Sequence, residues 1–157
     1  MASSQITAAL AAHPFLEGLQ PAHLDKLAAL AGMVSFEPDQ IIFREGDASS
    51  FFYLIVSGKV ALEIAAPNRF ISIQTLSGGD ELGWSSLLDR VDKQFRARSV
   101  TVVRALAFDG TRVVACCDED REFGYILLRK ILAIVAERLR STRMQLLDVY
   151  AKKGAPK

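Results

Sequence analysis

The chain has 157 residues, half of them hydrophobic and 24% charged, with a net charge of +1. That is ordinary globular usage and enough chain for one domain with a real core. It excludes a membrane helix, because no apolar run reaches the roughly 18 to 20 residues needed to span a bilayer. The start, Met1-Ala2-Ser3-Ser4-Gln5, lacks the basic residues of a secretory leader, and His13-Pro14 interrupts the apolar stretch that follows. Cys116 and Cys117 are adjacent, which suits no disulfide framework. They read as small buried hydrophobes in a reducing compartment or as a reactive thiol, and the expected location is the cytoplasm. Charge is uneven: residues 1–120 hold 10 Lys/Arg against 15 Asp/Glu, and residues 121–157 hold 9 against 3. Two readings of the basic end stand, docking on an acidic partner and lying over the chain's own acidic domain.

In chain order, the first thirty or so residues read as helical. Ile6, Leu10, Phe15, Leu16 and Leu19 are apolar anchors, and Leu24, Leu27, Ala28 and Leu30 repeat at helical spacing up to Gly32. From Met33 the pattern is β. The expected strands are Val34–Phe36, Ile41–Arg44, Phe51–Val56, Val60–Ile64, Phe70–Leu76 and Ser99–Phe108, each closed by Gly, Pro, Asp or Asn turns. Val60, Leu62 and Ile64 alternate with Ala61 and Glu63 as in a half-buried strand. Such spacing points to a sandwich or barrel. Between Ser77 and Leu88 a glycine-rich turn runs into a short apolar segment. It is either a phosphate cradle built on free backbone N–H groups or a plain strand-to-helix turn.

After Gly110 the helical pattern returns and continues from about Glu119 to Lys152. Leu128, Leu132, Val135, Leu139, Thr142, Leu146 and Val149 are spaced 4, 3, 4, 3, 4, 3, an a/d seam over roughly three heptads. Leu127, Ile131 and Ile134 form a second stripe on the first half of the same helix. The helix is expected to pack on its own domain early and on a second copy later, making a homodimer.

This order of parts resembles the cyclic nucleotide-binding domain, the sensor module of catabolite-activator regulators and of protein kinase A regulatory subunits. The motifs that carry it are Pro14-Phe15-Leu16-Glu17-Gly18-Leu19, Ile42-Phe43-Arg44-Glu45-Gly46-Asp47 and Phe52-Tyr53-Leu54-Ile55-Val56-Ser57-Gly58-Lys59-Val60. They continue with Leu76-Ser77-Gly78-Gly79-Asp80-Glu81-Leu82-Gly83 and Ser85-Ser86-Leu87-Leu88. The resemblance implies an α+β, mostly β fold: a jelly-roll-like β-barrel flanked by N-terminal helices and a long C-terminal dimerisation helix. The domain is expected over residues 1–152, with helices to 32, the barrel over 33–110, helices over 111–152, and a tail at 153–157.

In that family the glycine-rich turn is the phosphate-binding cassette, where a glutamate takes the ribose hydroxyl and an arginine the cyclic phosphate. Carried over, Gly83 matches the glycine, Ser86 the small position, and Leu87 and Leu88 the apolar pair. Trp84 stands where the glutamate belongs and Lys93 where the arginine belongs, with Arg90 and Arg96 nearby. Lysine lacks the bidentate fork of arginine, and each lost charged hydrogen bond costs about 1.5 to 3 kcal/mol. Trp84 reads as a core filler or as a stacking platform for a flat ligand. Thr142, followed by Arg143, takes the place of a Thr-Ser pair that reaches the base from the dimer helix, or is a polar seam position that sets register. The candidate ligand residues are therefore Gly83, Trp84, Ser85, Ser86, Lys93, Thr142 and Arg143.

No metal site is expected, because the only histidines, His13 and His23, lie in the N-terminal helices. No catalytic constellation is found, and no helix-turn-helix segment precedes Lys157, so neither catalysis nor sequence-specific DNA binding is expected. The resemblance implies a non-enzymatic, homodimeric regulatory module that binds cAMP, cGMP or another nucleotide weakly and signals to a protein partner. The alternative is a ligand-free dimerisation scaffold. Trp84 separates them: packed in the core it supports the scaffold, lining a pocket it supports the sensor.

Overall fold

Two four-stranded antiparallel sheets face each other beneath helices from both ends of the chain, in a computed structural model that describes residues 1–88 and 92–154. Helix α1, Ala2–Ala12, buries Leu10 and stops at His13-Pro14. His13 then starts a 3-10 turn over Pro14–Leu16: its Nδ1 accepts the Phe15 N–H at 3.3 Å. Helix α2, Pro21–Leu30, begins with proline at its first turn, where the missing N–H costs nothing, and buries His23 and Leu27.

The strands are β1 (Ala31–Phe36), β2 (Ile41–Phe43), β3 (Phe51–Ser57), β4 (Lys59–Ala66), β5 (Arg69–Ser77), β6 (Glu81–Leu82), β7 (Arg96–Ser99) and β8 (Val103–Asp109). One sheet has the order β1-β8-β3-β6, the other β2-β7-β4-β5. This is the expected jelly roll, with the two sheets packed face to face rather than joined into a closed ring of hydrogen bonds.

The run Ser99–Phe108, expected as one strand, is two strands in different sheets. The chain turns the corner at Val100–Val102, where Val100 and Val102 are β-branched yet exposed. Their β-propensity imitates a strand that the corner does not contain. In β4 the alternation also breaks. The register against β5 shifts between Leu62 and Glu63, so Ile64 turns outward while Glu63 is buried under Arg96 and Arg98. Strand β6 is two residues long, too short to be read from a pattern.

Side chains of β3, β4, β5 and β8, among them Ile55, Val60, Leu62, Leu76 and Val103, fill the space between the sheets. A second cluster, with Leu10, Phe52, Phe108, Phe123 and Leu127, joins the first sheet to the helices. Helix α3, Gly110–Glu119, is capped by Asp109, whose carboxylate accepts the N–H groups of Thr111 and Arg112 at 2.9 and 3.3 Å. Helix α4, Arg121–Gly154, has 34 residues and includes Lys153 and Gly154; residues 155–157 of the expected tail lie outside the described residues. It buries Phe123, Leu127 and Ile131 on the domain. The seam is different. Leu128, Leu132, Leu139, Leu146 and Val149 are 50–65% exposed, and only Val135 packs against the core.

Candidate functional site

The glycine-rich turn closes the β5–β6 end of the roll and leads into a 3-10 turn over Trp84–Leu87. Gly83 has φ +81°, and a Cβ there would lie 2.5 Å from the Phe51 carbonyl oxygen and 3.1 Å from Lys93 Nζ. Only glycine suits that left-handed position and that approach.

Lys93 is 5% exposed, and its ammonium has no carboxylate partner among the described residues. Its Nζ donates to Ser85 Oγ at 3.3 Å and sits 4.3 Å above the Phe43 ring. Ser85 Oγ in turn lies 2.6 Å from Ser49 Oγ. Burial pulls the Lys93 pKa down to about 8, so the group remains largely cationic at neutral pH. A cation held this way is an electrostatic trap for an anion. Of the two recesses that Lys93 lines, one of about 220 Å³ is bordered by Asp47, Ser50, Phe51 and Tyr53, and the other is small, about 40 Å³, lined by Phe43, Gly83, Trp84, Ser85 and Phe95. Trp84 is half-buried: it packs on the helix-side core and also faces this cavity.

Gly83, Trp84, Ser85 and Lys93 thus come together. Ser86 packs behind them, buried, with its hydroxyl lacking a partner. Thr142 and Arg143 stand apart. Thr142 Oγ1 donates to the Arg138 carbonyl of its own helix, and Arg143 is exposed. Thr142 lines a separate groove of about 230 Å³ between α4 and Ile73–Gln74 of β5, which Gln145 bridges by donating to the Ile73 carbonyl at 2.8 Å. Arg96 lies on the second sheet, bonded to Glu63 at 2.9 Å and stacked on Phe70. Arg90 lies outside the described residues.

Sequence reasoning missed the pair that ties the cassette to α4. Arg138 bonds the Glu81 carboxylate and, at 2.9 Å, the Glu81 main-chain carbonyl. Both side chains are largely buried. Burial raises the Glu81 carboxyl above its usual range, with the Arg138 charge pulling it back, and burial lowers Arg138 against the opposing charge of Glu81. Arg138 Nη1 is buried without a partner. A glutamate two residues before the cassette glycine was the available signal, but nothing local names its partner on α4.

The family model of the cyclic nucleotide-binding domain matches residues 33–120, more than half of the chain, and the chain belongs to that family. It is 29% identical over 141 residues to the CRP-like cAMP-activated global transcriptional regulator of Mycobacterium tuberculosis, covering 89% of this chain. The chain spans 61% of the length of that relative. Among solved structures it is similar to the Thermus thermophilus catabolite activator protein, at 25% identity and a TM-score of 0.72, over 88% of this chain and 63% of that one. A cyclic nucleotide-binding domain from Methylobacillus flagellatus superposes with a TM-score of 0.79 over 99% of this chain and 85% of that one; at 15% identity it speaks for the fold alone.

Proposed function

We propose that this chain is a non-enzymatic, cytoplasmic regulatory module that works as a homodimer and takes a cyclic nucleotide, cAMP or cGMP, with low affinity. The observation that carries this reading is Lys93, a buried ammonium without a carboxylate partner among the described residues, held against Ser85 and the backbone at Gly83. Lys93 and the Ser85 hydroxyl would hold the cyclic phosphate. The unpartnered Ser86 hydroxyl lies one residue further along the same turn. Ligand pockets measure about 300 to 1,000 Å³, more than either recess at Lys93, about 40 and 220 Å³, so a whole nucleotide enters only with displacement of side chains such as Trp84. That displacement, together with the missing ribose carboxylate, makes binding weak and makes it shift the turn that leads to α4. Thr142 and Arg143 reach the base only if α4 moves or a second copy supplies them. A protein partner would read the shifted helix.

One observation favours a second reading, a ligand-free dimerisation scaffold: Trp84 already packs on the core. Calorimetry with cAMP, cGMP and cyclic dinucleotides separates the two. The sensor gives saturable heat with a Kd of about 0.1 mM or weaker for a cyclic nucleotide. No heat at millimolar ligand leaves the scaffold. Light scattering on the same sample reports the dimer independently.

A further inference from the structure

An apolar cavity lies where α3, α4 and the end of the cassette turn meet. It measures about 370 Å³, and its floor is made by Leu87, Val113, Cys117 and Leu127. Its α4 lining is Arg121, Gly124, Tyr125 and Leu128 at the rim, with the buried Leu127 and Ile131 below them.

Those four positions have a meaning in the heptad register. With Leu132, Leu139 and Leu146 at a and Leu128, Val135, Thr142 and Val149 at d, the repeat extends back to Tyr125 at a and Arg121 at d. In a parallel, in-register pair, an a side chain enters a hole formed by the facing helix at the preceding d and g, the same a, and the following d. For Tyr125 that hole is Arg121, Gly124, Tyr125 and Leu128, the four rim residues. The other g positions carry Ile131, Arg138 and Gln145. Gly124, packed so close to α3 that a Cβ would meet Cys117 at 2.9 Å, adds no side chain to this hole, which borders the cavity. Tyr125 itself is 62% exposed, with only Arg129 Nη1 donating to its hydroxyl at 3.4 Å.

Resting on the homodimer proposed above, we infer that the cavity is the socket for the partner's Tyr125. The ring enters over Gly124 and comes to lie against Cys117 and Leu87. The Arg121 guanidinium at the rim suits the face of an aromatic ring. Tyr125, Leu128, Leu132, Leu139, Leu146 and Val149, each half to two-thirds exposed, offer on the order of 600 Å² per chain. That is close to the roughly 800 Å² per partner of a standard interface. A second copy is therefore the occupant that the register, the recess and the exposed area agree on. Because Leu87 ends the 3-10 turn that begins at Trp84, the partner's Tyr125 buttresses the cassette of the facing subunit. Each site is then completed by the other chain.

Cys117 on the cavity floor is the reporter. In a Cys116→Ser background the rate of labelling by a small thiosulfonate at fixed pH measures cover over Cys117. We expect labelling to slow as the protein is concentrated into its dimer. Tyr125→Ala should label at least 10-fold faster at a concentration where light scattering still finds a dimer. In a Leu139→Asp monomer, Tyr125→Ala should speed labelling less than 3-fold, because only the chain's own rim Tyr125 is lost there. Equal rates for Tyr125 and Tyr125→Ala dimers, or an equal acceleration in the monomer, overturn the socket while the dimer stands. A protein that is monomeric at every concentration overturns both.

Discussion

Arg138 of α4 donates to both the main-chain carbonyl and the carboxylate of Glu81, joining the strand before the cassette to the long C-terminal helix. The two residues are 57 positions apart, and their contact is the polar bond by which the cassette holds the second half of α4 against the domain. A shift of the turn at Gly83 therefore acts on a helix that is otherwise apolar-packed only as far as Val135.

Arg138→Met leaves a buried carboxylate without its cation. We expect a loss of about 3 kcal/mol by chemical denaturation at pH 7. Glu81 has a folded pKa raised above its unfolded value, and removing Arg138 raises it further. The deficit should therefore be smallest in acid, where Glu81 is protonated in both states, and grow as pH rises through its folded pKa. Glu81→Leu combined with Arg138→Leu should recover most of the loss, because no charge is left unpaired.

Lys93→Met should do the opposite to stability and remove binding. Replacing a buried ammonium with an isosteric apolar chain gains roughly 1 to 3 kcal/mol at pH 7. The folded pKa of about 8 lies below the ordinary 10.5, so the folded state releases its proton first as pH rises. The Lys93 protein should therefore gain stability between about pH 8 and pH 10.5, and its gap to Lys93→Met should narrow there. Urea denaturation at pH 7 and pH 9.5 measures both.

His13 gives the acid side of the profile. Its Nε2 donates to the Ile55 carbonyl at 2.9 Å while Nδ1 accepts the Phe15 N–H, an arrangement that requires the neutral ring. Burial holds its pKa below 6.5, with the Ile55 bond and Asp80 opposing. A lowered histidine pKa means that stability is full above pH 6.5 and is lost as pH falls towards the folded pKa. His13→Asn keeps the cap to Phe15, loses about 1 kcal/mol at pH 7.5 with the Ile55 bond, and flattens the acid slope.

Leu139→Asp and Leu146→Asp place charges in the exposed seam. Both should yield folded monomers on light scattering, with little change in denaturation midpoint at low protein concentration, because neither side chain packs on its own domain. A dimer that survives both substitutions would exclude the seam.

Much of this was legible in the residues. Helix anchors such as Leu10, Leu27 and Leu127 repeat with the helical period, glycine turns bracket the strands, and the cassette glycine stands out by its neighbours. What was not legible depends on tertiary placement. Val100 and Val102 carry strand propensity into a corner, and Glu63 is polar yet buried because Arg96 and Arg98 cover it. Arg138 finds Glu81 only after the chain has folded back on itself. Trp84 packs on the helix-side core while lining the small recess beside Lys93, a placement that no spacing of residues encodes.

Trp84 is the only tryptophan in the chain and lines that cavity. The most direct measurement is therefore its fluorescence during titration with cAMP and cGMP, in the unaltered protein and in Lys93→Met. A saturable change is expected for a cyclic nucleotide, with half-saturation at about 0.1 mM or above, abolished by Lys93→Met. A spectrum that stays flat to millimolar ligand, or a response that Lys93→Met leaves intact, would contradict it.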